Sequence, residues 1–319
     1  MANQCMNDEE SLLLVEPLQE LYKTHPEENL YRWKPHEDKK WFGDELQWVL
    51  DKEPKETIEK LLEKWHELYY YTAQEVVLHW VFHELCPRND SYLNVLLKVS
   101  VLNDFYSTGI WNTAAVAKRI WDLSYDEGKD AKGKPIRRKK TNDVDSRLQA
   151  VDLTLIEDIA KDIVFLPKDV FGNDDGDTDT ASLNDGKVKT RSFWSFASKY
   201  CYHHKINSNE GKEGEELKEF PILDSNVVEM LYYFQKKDHF IKNVKKDLGP
   251  DFASKPVLTR DKTINTKTLR ENPVVLHAVL CHFRRYYDLR NYSLRQIDHY
   301  LWLRGKIDTY MKNKNKKKK

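Results

Sequence analysis

The chain has 319 residues, 33% of them charged, with 52 Lys and Arg against 52 Asp and Glu. A mean hydropathy of -0.75 with 12% aromatic residues describes a polar surface over an aromatic interior, which excludes a disordered chain. No run approaches the ~18 apolar residues of a membrane span, and the opening MANQCMNDEE is acidic, unlike a signal peptide, so a cytoplasmic protein without membrane contact is expected.

The zero net charge hides an asymmetry. Residues 1–60 carry 8 Lys/Arg against 15 Asp/Glu, whereas residues 236–319 carry 22 against 8 and end in KNKNKKKK. Local potential governs association, so a polyanionic partner stays open. Cys5, Cys86, Cys201 and Cys281 are scattered, which argues for reduced thiols and against a zinc ribbon or an iron–sulfur cluster.

Residues 1–52 read as an N-terminal helical and aromatic extension. From Pro54, Ile58, Leu61, Leu62, Trp65 and Leu68 fall at helical spacing, with Pro87 beyond the end, so one or two helices are expected. Residues 91–123 predict two helices joined at Ser107-Thr108-Gly109, the second capped by Asn112 or Thr113. A basic, breaker-rich stretch at 126–143 reads as a loop. Helical pattern returns over 145–165, and an acidic loop at 172–187 lacks the calcium-loop spacing. Helices are expected at 225–247 and 271–287. A last helix starts at Ser293, a serine N-cap with Gln296 three residues on, and 312–319 is a lysine-rich tail. Strand signals are nearly absent. The expected fold is mostly α, a two-lobed helical bundle over 53–311.

Lys199 stands out in SFWSFASKYCYHHK (192–205), one lysine among aromatic and small residues. Lysine titrates at about 10.4 in water, so holding it neutral at pH 7 costs roughly 4.6 kcal/mol. Burial lowers that cost, and a nearby carboxylate can take the proton when the amine attacks. The competing reading is a lysine that snorkels to solvent. Downstream, Asp224 sits behind an apolar FPIL in FPILDSNVVEML (220–231), 25 residues from Lys199.

Together SKYCYHH and FPILDSNVVEML resemble the catalytic segment of the helix-hairpin-helix DNA glycosylases, the 8-oxoguanine-glycosylase-like branch. Pro221, Asp224 and Val227 match the family's Pro-x-x-Asp-x-x-Val segment, and LLKVSVLNDFYSTGI (96–110) and YSLRQIDHYLWLRGK (292–306) look like the same branch. The usual glycine-rich turn before the lysine is replaced by FWSFAS, so the hairpin is atypical. The resemblance implies that Lys199 attacks C1′ of a flipped nucleotide, with Asp224 as electrostatic and acid–base partner, as an N-glycosylase with or without AP-lyase activity. The implied partner is duplex DNA; no cofactor or metal is implied, and a monomer is expected.

Tyr200, Tyr202, His203, His204 and Trp302 are candidates to line the base pocket. Arg137, Arg138, Lys139, Lys140 and Arg191, with Ser198 and Ser225, are candidates for phosphate contacts. The resemblance implies an oxidised purine as substrate. The departures from the repair pattern suggest instead removal of modified bases, such as glucosylated hydroxymethylcytosine, from phage DNA. A non-catalytic nucleic-acid-binding protein, or a helical protein whose Lys–Asp pair is a plain salt bridge, are the other readings. His79 and His83, four apart, have metal-ligand spacing but no third ligand in view. There is no Walker loop, GxGxxG or GxSxG.

Overall fold

The computed structural model describes residues 45–106, 109–110, 112–161, 163–164, 190–204 and 219–317. Residues 1–44, the acidic loop at 172–187 and the polar insert after His204 lie outside the described residues, as does the side chain of Arg191.

The protein is mostly helical. Helix α1 (Pro54–Glu67) starts where Pro54 tolerates the first turn, and Glu53 and Glu56 form a capping box. It buries Ile58, Leu61 and Trp65 on one face. Helix α2 (Tyr69–His79) widens into a π-helical segment, Trp80–Leu85, closed by the Cys86 N–H on the Val81 carbonyl at 2.9 Å. Helices α3 (Tyr92–Tyr106) and α4 (Thr113–Ser124) are the two expected over 91–123 and pack together, with Asn112 as the cap, accepting from the Ala115 N–H at 2.9 Å. Gly109 takes φ +69 after α3, where a side chain would be strained.

The basic stretch expected as a loop is a β-hairpin. Strands β1 (Tyr125–Lys129) and β2 (Pro135–Lys139) pair antiparallel, with Asp126 opposite Arg138 and Glu127 opposite Arg137. The ribbon shows no apolar alternation, which is why no strand pattern shows in the sequence. The 145–165 pattern breaks at Val151 (φ 52) into α5 (Val144–Gln149) and α6 (Thr154–Ala160). Two short strands, β3 (Ile163–Val164) and β4 (Thr190–Arg191), then pair antiparallel and lead into α7 (Trp194–His204), which packs on α6.

Helix α7 is buried from Phe196 to His203 and also contacts α3, so it is a core helix rather than an amphipathic surface one. The helix expected over 225–247 is likewise two. Helix α8 (Ser225–Asp238) stops at His239, which is left-handed at φ 50, and α9 (Val244–Asp247) follows. Buried Gln235 explains the stop: its side chain binds both the N–H and the C=O of Ile241, at 2.9 and 3.0 Å, in place of a helical turn. Helices α10 (Thr266–Glu271) and α11 (Pro273–Tyr286) precede α12 (Leu294–Lys316), whose Ser293–Gln296 capping box is as expected.

Helix α12 packs on α1 and α8 and carries the core from end to end. Its residues Lys312–Lys316 are helical, so the basic tail is in part the last turn of α12. Leu46 and Val49 are buried, and Arg304 of α12 donates to the carbonyls of Leu50 and Lys52 at 2.9 and 3.2 Å. The residues just before the expected boundary at 52 are therefore packed with the core. A Cβ at Gly305 would lie 2.9 Å from Asn226 Cβ, so the glycine sets how closely α12 approaches the start of α8. Among the described residues, no helix is long and apolar enough to cross a membrane.

Candidate active site

Lys199 lies in the middle of α7 with 5% of its surface exposed. Its Nζ donates to Ser195 Oγ, one turn earlier, at 2.7 Å, and faces Asp224 Oδ2 at 4.0 Å. The Tyr106 ring of α3 lies 5.0 Å from the ammonium. Burial pushes the Lys199 pKa down, and the charges of Asp224 and Asp298 oppose that shift.

Two hydrogen bonds fix the segment that brings Asp224 here. Glu219 accepts the Leu294 N–H at 3.1 Å, and the Leu223 N–H donates to Ser198 Oγ at 2.9 Å. Asp224 is then the N-cap of α8, accepting from the Asn226 N–H at 2.8 Å. One carboxylate oxygen is occupied by the cap; the other is left for the lysine. Ser198 is fully buried, its hydroxyl committed to Leu223 N–H and to the Ser195 carbonyl at 3.0 Å. It positions the Asp224 segment and is withdrawn from any phosphate, a correction to its expected role.

Around the pair lies a buried polar network. Arg295 of α12 is ion-paired with Glu75 of α2 and with Asp298 one turn on, the latter at 2.9 Å, and its guanidinium lies 4.7 Å above the Tyr202 ring. Tyr106 donates to Glu75 at 2.8 Å and meets His203 Nε2 at 3.0 Å. Burial pushes the Glu75 carboxyl up, but the Arg295 charge and the Tyr106 hydroxyl hold it below its usual range. Burial raises Asp298 to about 7 against the pull of Arg295, and lowers His203 to about 3, so that imidazole is neutral.

Of the expected pocket residues, Tyr202 and His203 join this network. Tyr200 does not: it is fully buried and donates to Asn89 Oδ1 at 2.6 Å. His204 packs against Phe82, ring centroids 4.9 Å apart, and Trp302 stands edge-on to Trp65 at 5.5 Å and to Tyr71 at 5.0 Å. These three are packing residues. His79 and His83 stack on each other at 4.7 Å, and His83 Nε2 donates to the His203 carbonyl at 2.7 Å. Among the described residues no group of three potential ligands could hold a metal ion.

An open groove of about 520 Å³ runs past Asp224, with Lys199 buried behind its lining. Ser195 and Asp224, the two groups that hold the Lys199 amine, line it together with Trp194, Ser225 and Arg270. Ser225 is exposed there. On the β-hairpin, Arg137 and Arg138 are exposed; Lys139 is bound to Asp143 at 2.5 Å, and Lys140 to Asp126 at 3.4 Å. The two lysines are thus already held by carboxylates. One signal in the sequence marks the missed network: Arg295 and Asp298 share a helical face with Leu294, Ile297 and Leu301, where charge is out of place.

A family model named HI_0787_N, described as an N-terminal domain, matches residues 57–133. The chain is 27% identical to an uncharacterized protein of Haemophilus influenzae over 228 residues, 71% of this chain and 74% of that protein. The matched family region holds Glu75, Lys98 and Tyr106. No solved structure matches the chain.

Proposed function

We propose that the protein is a DNA N-glycosylase with a two-lobed helical fold, acting on a modified or damaged base flipped from the duplex. Lys199 is the nucleophile and Asp224 its electrostatic partner. The observation that carries this reading is the amine itself: buried, held by one hydroxyl, and facing a carboxylate that lines an open groove. A lysine in a plain surface salt bridge has no reason to be enclosed in this way.

In this reading the neutral Nζ attacks C1′ and the base leaves with the electrons of its glycosidic bond. The Asp224 carboxylate stabilises positive charge developing on the sugar. The resulting adduct collapses to a Schiff base, the route to strand cleavage. Two further features support it. The segments 96–110 and 292–306, read as glycosylase-like on their own, supply Tyr106, Arg295 and Asp298 to the same cluster as Lys199. Exposed Arg137 and Arg138 offer phosphate contacts.

Borohydride trapping tests the chemistry. Wild-type protein forms a covalent adduct with cleavable duplex, and Lys199→Gln loses both adduct and base release while still binding DNA. Release of a base by wild type with no trapped adduct leaves a hydrolytic glycosylase. DNA binding without excision on any substrate overturns the enzyme. Screening DNA from phages with modified and unmodified bases beside an oxidised-guanine oligonucleotide assigns the base; release of 8-oxoguanine alone sinks a role against phage.

A further inference from the structure

The β-hairpin at 125–139 takes no part in the site around Lys199, yet both of its ends are firmly held. Its base is fastened to α4. The Tyr125 ring lies 4.1 Å from that of Trp121, and Lys140 donates through its N–H to the Ser124 carbonyl at 2.9 Å and through its ammonium to the Asp122 carbonyl at 3.1 Å. The turn at the far end is tied as closely. Asp130 Oδ1 accepts the N–H groups of Lys132 and Lys134 at 2.8 and 2.9 Å, and the Asp130 N–H donates to the Lys134 carbonyl at 2.9 Å. Gly133 supplies the left-handed residue of that turn, at φ +77. The ribbon is therefore shaped before any partner arrives, which lowers the ordering cost of binding.

From Asp126 to Lys139 the described side chains are exposed or half-buried, and of these Ala131 and Ile136 alone are apolar. Such a ribbon has no apolar face to lay on another protein. Its charges point elsewhere. Asp130 is spent on the turn, Asp126 faces Lys140 at 3.4 Å, and Lys139 is taken by Asp143 at the base. Lys129, Lys132, Lys134 and Arg138 form no ion pair among the described residues. Four cations thus stand on the turn and flanks of one narrow ribbon, a local potential that the zero net charge of the chain hides.

We propose that the hairpin is a prong for duplex DNA, lying in the major groove with these four cations on the phosphates of its walls. The dimensions agree. Antiparallel strands of 5 residues run about 17 Å and lie about 4.8 Å apart. The major groove of B-form DNA, about 12 Å wide, admits a two-stranded ribbon. The deep, narrow major groove of an A-form duplex does not. Phosphate contacts carry no sequence information, so the prong grips and orients the duplex and leaves the choice of base to the groove at Asp224. The inference rests on the proposed reading for its partner, but not for the chemistry at Lys199.

The test uses the full chain with Lys129, Lys132 and Lys134 all changed to Gln, and Arg138→Gln as a separate variant. Affinity is measured over a range of salt for a mixed-sequence DNA duplex, the same sequence as an RNA duplex, and phosphatidylserine vesicles. On DNA the triple variant should bind about tenfold or more weakly at about 0.15 M salt, and the slope of log affinity against log salt should flatten by about 0.9 for each lysine lost. Arg138→Gln should flatten it by about 0.9 and serves if the triple variant does not fold. Binding to the RNA duplex should change far less. An unmoved salt slope on DNA overturns the prong. So does an equal loss on the RNA duplex or on the vesicles, which marks a patch for any polyanion. Base excision by wild type with DNA binding that ignores the hairpin sinks the prong alone. Hairpin-dependent DNA binding with no excision sinks the glycosylase reading alone.

Discussion

Among the described residues two lysines are buried, and they are held in opposite ways. Lys98 of α3 has no exposed surface, and its ammonium donates to the Cys86 and Arg88 carbonyls and to Asn89 Oδ1 at 3.1, 2.9 and 2.7 Å. All three of its protons are used. Asn89 is held in turn by Asp145 and by the Tyr200 hydroxyl, so Lys98 ties the π-helical end of α2 to α3 and α7. Lys199 of α7 has one short hydrogen bond and a carboxylate at 4.0 Å. Burial lowers both pKa values, Lys98 to about 7. Burial alone therefore does not mark a nucleophile. What separates the two is how many protons the surroundings claim, and whether a groove reaches the groups that claim them.

Substitution should separate them on different axes. Lys199→Gln is expected to lose adduct formation by on the order of 10³-fold or more, with a smaller loss of unfolding free energy than Lys98→Met, because the Gln amide can still meet Ser195 Oγ. Lys98→Met should do the reverse. It strands three buried acceptors and costs about 3 kcal/mol in denaturant unfolding, while folded protein at low temperature still forms the adduct. Equal loss of stability in both variants would erase the distinction. Asp224→Asn keeps an N-cap oxygen but removes the charge facing Lys199, so single-turnover excision should fall about a hundredfold with stability little changed.

The same contrast shows what the sequence could and could not reveal. Lys199 and Asp224 are legible because they sit in short segments whose neighbours are apolar, and caps such as Asn112 and Ser293 are legible because capping is local. Lys98 is as deeply buried, yet its claim on Asn89 and on two carbonyls depends on backbone geometry after the π-helical segment. The network around Lys199 is assembled across the chain: Glu75 and Arg295 are 220 residues apart. No periodicity within one element encodes such a pairing. The hairpin at 125–139 escaped for a different reason: its strands carry charged residues without apolar alternation.

His203 lies beside the network and offers a test through pH. Burial keeps its imidazole neutral down to about 3, whereas in the unfolded chain it titrates at about 6.5. Between those values the unfolded state binds a proton that the folded state refuses. Its contribution to stability is whole above pH 6.5 and is lost as pH falls through that window. At pH 5 the loss amounts to about 2 kcal/mol. His203→Gln, which can still meet the Tyr106 hydroxyl, should shrink the stability difference between pH 7 and pH 5 by that amount in urea titrations. An unchanged difference would mean that His203 takes up its proton in the folded protein.

The smallest expected effect belongs to Ser195, and it bears most directly on what distinguishes the two lysines. Its hydroxyl is the only group among the described residues within hydrogen-bonding distance of Lys199 Nζ, at 2.7 Å, and it also lines the groove. Its backbone carbonyl, which takes the Ser198 hydroxyl, is untouched by substitution, so the Asp224 segment keeps its anchor. Ser195→Ala therefore removes one orienting bond and nothing else, worth about 1 kcal/mol. Adduct formation should slow by roughly fivefold, since the amine then samples directions away from the groove. If Lys199 were a packing lysine like Lys98, losing that bond would appear instead in the unfolding free energy. A rate that falls while stability holds places the hydroxyl in the service of aim rather than of packing.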